Sequence, residues 1–183
     1  MLGLIKRVFS VRNYDSFISL YKCFVRPILE FASLLWCPYH RYLINDIESV
    51  QRRFSKFFCH IRCLPYRERL SSLNLLSLSA RRIRYKLIYM YKILNNHVDI
   101  DPDSFFSFAR NDKTRGNKCK LKIQFANTNN WSNFFVNHVV KYWNKLSDDE
   151  IFVTNINAFK KSCELLFLRE GIWWRLRFSI VVC

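Results

Sequence analysis

Asp148, Asp149 and Glu150 form the densest carboxylate cluster in the chain, and converging carboxylates are what two-metal phosphoryl chemistry needs. The cluster follows one run of helical spacing and precedes another. Acids in that position answer the positive end of a helix dipole, so capping is the expected role. Cys37 and His40, followed by Cys59 and Cys63, make two pairs at spacings that zinc can use. Cys59 and Cys63 stand one helical turn apart beside an apolar stripe, where a thiol packs as a small hydrophobe. No metal and no cofactor is therefore expected. The sequence offers neither a glycine-rich phosphate loop nor a Ser, His and acid set. The chain reads as non-catalytic, with no catalytic residue assigned.

Basic residues are the other chemistry-bearing set. Between Arg52 and Lys92 eleven Lys or Arg residues stand against one acid, Glu68. Arg52, Arg53 and Lys56 with Arg81, Arg82 and Lys86 are the expected phosphate contacts, because guanidinium forks suit phosphate oxygens. Tyr85 and Tyr89 accompany them and could stack on bases or sugars. Such a surface positions a nucleic-acid backbone without reading its sequence. The competing readings are a solvated helix face and a basic amphipathic surface lying on anionic lipid. The net charge of +16, from 30 Lys and Arg against 14 Asp and Glu, favours a polyanion. RNA, DNA or their hybrid is the expected partner.

These side chains need helices to hold them. Half of the residues are apolar, enough for a core, while three Gly and four Pro supply little turn chemistry for a many-stranded fold. A mainly α chain is expected. Leu20, Tyr21, Phe24, Ile28, Phe31 and Leu35 follow Phe17 at three- and four-residue steps, which predicts one apolar helix face, kinked by Pro27 and ended by Pro38. Asn45 with Glu48 predicts a capped helix start, with Ile47, Val50, Phe54, Phe57, Phe58 and Ile61 inward. Gln51, Arg52, Arg53, Lys56 and His60 then share the outer face. Tyr66 to Leu70 is a short amphipathic piece, and Leu73, Leu75, Leu76 and Leu78 lead into a helix from about Ser79 to Asn96. That helix is expected to bury Ala80, Ile83, Leu87, Met90, Tyr91 and Leu94. Pro102, Gly116, a run of Asn, and Lys118, Lys120 and Lys122 alternating with Cys119, Leu121 and Ile123 predict a loop or short β-hairpin insertion around 97–130. Helical spacing resumes over Trp131 to Leu146 and from about Asn155 to Arg169, with Phe159, Cys163, Leu166 and Phe167 inward. The expected division is 1–96, 97–130, 131–170 and an unassigned apolar tail, 171–183.

No apolar stretch reaches the roughly 20 residues that span a bilayer. The nearest, Ile172 to Cys183, is broken by Arg175 and Arg177. Seven Cys behind an N-terminus charged by Lys6 and Arg7 predict reduced thiols inside the cell, in nucleus or cytoplasm.

Several segments taken together resemble one family. Tyr21-Lys22-Cys23-Phe24-Val25-Arg26-Pro27-Ile28-Leu29-Glu30-Phe31-Ala32-Ser33, closed by Trp36 and Pro38, resembles the segment following the catalytic core in reverse transcriptases of LINE-type, non-LTR retrotransposons, notably the jockey-like and chicken-repeat-like groups. Glu48-Ser49-Val50-Gln51-Arg52-Arg53-Phe54, Tyr66-Arg67-Glu68-Arg69-Leu70, Leu75 and Leu78 with Arg81-Arg82, and Tyr91-Lys92 continue the pattern in order. Tyr142-Trp143-Asn144-Lys145-Leu146 is similar to the family's Trp-Asn-x-Leu signature, and Phe159-Lys160 to the Phe-Lys of its last helix. The resemblance implies a helical, thumb-side region that braces template and product, and possible pairing with a palm domain. The family's palm motif, Tyr or Phe-x-Asp-Asp, has no counterpart here, nor does its endonuclease. The resemblance therefore implies a non-catalytic fragment of an RNA-directed DNA polymerase. The alternative is a host-retained protein-interaction module with no nucleic-acid role.

Overall fold

The computed structural model describes residues 2–8, 14–109 and 119–170. Lys118 and the tail 171–183, both part of the expectations above, lie outside them. The chain is mainly α-helical. In order come α1 (Leu2–Val8), α2 (Tyr14–Leu20), a π turn (Tyr21–Val25), α3 (Arg26–Glu30), α4 (Arg41–Ser55), a 3-10 turn (Cys59–Ile61), α5 (Tyr66–Ser72) and α6 (Leu78–Leu94). A second 3-10 turn (Pro102–Ser104), α7 (Asn129–Asn133), α8 (Phe135–Trp143), α9 (Asp148–Ile151) and α10 (Ile156–Glu170) follow. No described helix is long and apolar enough to cross a membrane.

Among the described residues of the expected insertion, pairing is limited to one antiparallel bridge, Phe108 to Leu121. Ala109 donates to the Lys120 carbonyl at 2.8 Å and Lys122 to the Ser107 carbonyl at 2.7 Å.

Contacts divide the chain into two compact units. Among the described residues, one holds those of Met1–Ala32 and Pro38–Ala80, and the other holds Ser33–Cys37 and Arg81–Glu170. This division falls inside α6. The reason lies in packing: beyond Ala80 the rings of α6 meet α8 and α10, with Tyr89 5.9 Å from Phe135 and Tyr91 stacked on Phe159 at 4.3 Å.

The first unit is built on aromatic packing. Phe17, Tyr21, Phe54 and Phe58 are buried, and the Tyr21 and Phe54 rings stack at 4.0 Å. The single apolar face expected from Phe17 to Leu35 does not form. Phe24, Ile28, Phe31 and Leu35 are exposed, whereas Val25 is buried and Leu29 packs against the core. The π turn explains the exchange. The Arg26 N–H bonds to the Tyr21 carbonyl, an i→i+5 closure that takes one residue more than an α turn. Each later inward position therefore passes to the next residue, from Phe24 to Val25 and from Ile28 to Leu29. Pro27 favours the wider turn, because in an α-helix its ring would crowd the carbonyl of Cys23. The helix then ends at Glu30, before Pro38, and Ala32 takes φ 50°.

α4 also starts earlier than expected. His40 is its extended N-cap residue and Asn45 lies inside the helix, so Asn45 caps nothing. Leu73 is the C-cap of α5, and Asn74 just past it takes φ 51°, which lets the Leu75 N–H reach the Leu70 carbonyl at 2.9 Å.

In the second unit Trp143 of α8 is buried, and Phe159, Cys163, Leu166 and Phe167 are buried as their helical spacing predicts for α10. The Trp-Asn pair pins the loop. Trp143 Nε1 donates to the Cys119 carbonyl at 3.1 Å. The Asn144 side chain accepts from Leu121 N–H at 3.0 Å and donates to its carbonyl at 2.9 Å, as a neighbouring strand would. The expected helix over Trp131 to Leu146 is broken at Phe134, whose ψ of 159° is extended.

Candidate nucleic-acid interface

α4 carries the first group of expected phosphate contacts, and its inner face fixes where they point. Gln51 is wholly buried, against the expectation that it faces water. Its Oε1 accepts from Tyr21 OH at 2.7 Å, and its Nε2 donates to the Leu76 carbonyl at 2.8 Å and to Tyr66 OH at 3.2 Å. Glu48, also buried, accepts from Tyr66 OH and from the Leu78 N–H at 3.0 Å. Counting about 100° per residue from Gln51, Glu48 falls at about 60°, Ser55 at about 40° and Phe54 at about −60°. Arg52, Lys56 and Arg53 fall at about 100°, 140° and 200°, on the opposite side. All three are exposed, as that geometry requires.

Arg52 donates to Asn45 Oδ1 at 3.3 Å and lies over the Tyr66 ring at 5.3 Å. The buried Arg69 guanidinium lies 5.6 Å from the same ring and donates to the Arg62 carbonyl at 3.4 Å. Among the described residues Arg53 and Lys56 have no carboxylate partner. Arg41, Arg62 and Arg67 are exposed in the same unit and extend its positive field. Sequence spacing did not single them out. Arg41 and Arg67 stand in the first turns of α4 and α5, and Arg62 follows the Cys59–Ile61 turn.

The second group, on α6, is placed differently. Arg81 is half-buried, donates to Tyr85 OH and lies over the Tyr85 ring at 5.3 Å. Arg82 is 2% exposed with its guanidinium 5.3 Å from the Trp36 ring, and Lys86 is 1% exposed. These two do not line an outer basic face as expected. α6 is covered on most of its circumference, so positions that read as a solvated strip are inside. The ammonium of Lys86 approaches His138 Nδ1 at 3.4 Å. Burial pulls the Lys86 pKa down, opposed by its hydrogen bond with Cys37. Burial, with the charges of Lys86 and Lys141, pushes His138 down to about 4, so its ring is neutral at pH 7.

The carboxylate cluster is a helix start. Ser147 precedes α9, its N–H donates to Glu150 Oε2 at 2.8 Å, and Arg169 reaches the same oxygen at 3.4 Å. Cys59, Cys63 and His40 are exposed and Cys37 is half-buried beside Lys86. Among the described residues no group of three His, Cys, Asp or Glu is placed to hold a metal ion.

Comparison with known proteins finds no matching family model, no matching curated protein and no matching solved structure.

Proposed function

We propose that this chain is a non-catalytic, thumb-side module of retrotransposon reverse-transcriptase descent that holds the backbone of RNA, DNA or an RNA–DNA hybrid without reading its sequence. The observation that carries the reading is the outward set of Arg52, Arg53 and Lys56, fixed by the buried polar face of α4. Fixing the helix this way reduces the ordering cost of each phosphate contact. Arg81 is half-buried and Arg82 and Lys86 are buried, so the reading rests on the set of Arg52, Arg53 and Lys56. Part of the charge at the end of α4 also answers the negative end of its dipole, a local effect that leaves the guanidinium forks available.

The test is binding of labelled single-stranded RNA and hybrid duplex to the full chain across a salt series. Affinity should fall steeply with salt, and Arg52→Glu with Arg53→Glu should weaken every sequence alike. For single strands the slope of log K against log salt should lose about 0.7 for each phosphate contact removed. Salt-independent binding, or no binding at low salt, would overturn the reading.

The alternative of a host-retained protein-interaction module has one observation in its favour, the exposed Phe24, Ile28 and Phe31. Under that reading Phe24→Ser with Ile28→Ser abolishes co-purification of a partner and leaves RNA affinity untouched.

A further inference from the structure

A second basic tract lies far from Arg52 in sequence. From Ser104 to Ser147 eight Lys or Arg residues stand against one acid, Asp112. Among its described residues five large rings are exposed, Phe105 and Phe108 at 46% and 50%, Phe125 at 89%, and Trp131 and Phe134 at 42% and 41%. The Trp131 and Phe134 rings lie nearly parallel, at 9° and 5.5 Å between centroids.

These rings are exposed on a backbone that is held from below. Thr128 Oγ1 accepts the Trp131 N–H at 3.2 Å. Asn137 of α8, only 2% exposed, donates Nδ2 to the Trp131 carbonyl at 3.2 Å and accepts the Gln124 N–H on Oδ1 at 3.2 Å. One buried amide therefore anchors both the Trp131 turn and the residue preceding Phe125. One helical turn further along α8, the exposed Lys141 places its ammonium 3.3 Å from Ser132 Oγ, next to Trp131 in the chain. Thr128, Asn129, Asn130, Ser132 and Asn133 flank Trp131 and Phe134 in the chain with amides and hydroxyls.

Parallel exposed rings with a cation beside them and a polar rim suit flat, polar-edged π systems joined by phosphates. An apolar helix face would instead suit lipid or a protein core. We infer that Trp131 and Phe134, with Phe125 and Lys141, form a stacking platform for unpaired bases of single-stranded nucleic acid, Asn137 acting as the positioning residue. Base-on-aromatic stacking tolerates any sequence, because every base has a π face. The inference rests on the nucleic-acid reading above and adds a preference for single strands to it.

The test measures binding of the full chain to an oligouridine strand, an abasic strand of equal length, an RNA–DNA duplex, and vesicles of mixed phosphatidylserine and phosphatidylcholine. Wild-type chain should prefer oligouridine to the abasic strand by about tenfold. Trp131→Ala with Phe134→Ala should erase that preference and leave duplex affinity unchanged, while Trp131→Phe with Phe134→Tyr should keep it. Equal wild-type binding to oligouridine and abasic strands, still weakened by Arg52→Glu with Arg53→Glu, overturns the platform alone. Absence of nucleic-acid binding at low salt overturns both readings. Vesicle binding that the double alanine variant abolishes, with its RNA binding unchanged, reassigns the rings to lipid. The comparison of the two strands on wild-type chain is independent of how well any variant folds.

Discussion

The Glu48 carboxylate accepts the backbone N–H of Leu78 at 3.0 and 3.3 Å, so a side chain from the middle of α4 caps the start of α6. Burial raises the pKa of Glu48, partly offset by its bonds to Tyr66, Leu78 and Ser79 and by the charge of Arg52. A carboxyl whose folded pKa is raised contributes stability below its unfolded value, near 4.5, and that contribution is lost as pH rises through the folded pKa. Glu48→Gln, which keeps an acceptor for Leu78, should therefore gain on wild type as pH rises above 4.5. Thermal melts of both chains from pH 4 to 7 check this, and a difference that is constant with pH would sink it. Glu48→Ala leaves buried donors without an acceptor and should cost about 1–3 kcal/mol.

His138 gives the opposite sign. Its folded pKa is depressed to about 4 from 6.5. The stability it contributes is complete above 6.5 and is lost as pH falls through about 4. Wild-type chain should lose stability relative to His138→Gln across that window. An NMR titration placing the His138 ring at 6.5 or above would contradict the burial described for it.

Lys86→Met separates the buried basic residues from the exposed ones. Methionine fills a similar volume without a charge to desolvate, so the substitution should stabilise the chain by about 1–4 kcal/mol. It should leave RNA affinity within about twofold, well inside the roughly tenfold effect that a charge-assisted contact can carry. Arg53→Ala should lower affinity and leave the melting temperature nearly unchanged. The reverse pattern would show that Lys86 reaches the ligand.

Ser147 and Glu150 are expected to behave as a helix start alone. Ser147→Ala or Glu150→Ala should cost about 1 kcal/mol in chemical denaturation. Asp149→Asn, at an exposed position, should cost little. Adding magnesium or manganese should leave the melting temperature where it was. A rise that Asp148→Asn removes would instead reveal a metal site.

The helices were largely legible because an amphipathic stripe repeats over several turns. Phe159, Cys163, Leu166 and Phe167 in α10, and Ile83, Leu87, Met90 and Tyr91 in α6, all turn inward as their spacing predicts. What failed depends on partners distant in sequence. Gln51 reads as a surface residue until Tyr21 and Leu76 are placed around it. Asn45 and Glu48 match a capping box, yet Glu48 caps a different helix thirty residues away. Arg82 and Lys86 share the spacing of solvated cations, and only the approach of Trp36 and His138 shows that they are inside. The exposure of Arg52, Arg53 and Lys56 was thus readable from the sequence of α4, because its outer face is defined by local geometry.

The π turn at Tyr21–Val25 gives this stretch an unusual mutational profile. Most of its substitutions change one side chain, but a single-codon deletion there would restore an α turn and rotate the following segment by about 100°. Phe24, Ile28 and Phe31 would then compete for the places held by Val25 and Leu29. The number of residues in the turn, more than their identity, decides which apolar groups meet solvent.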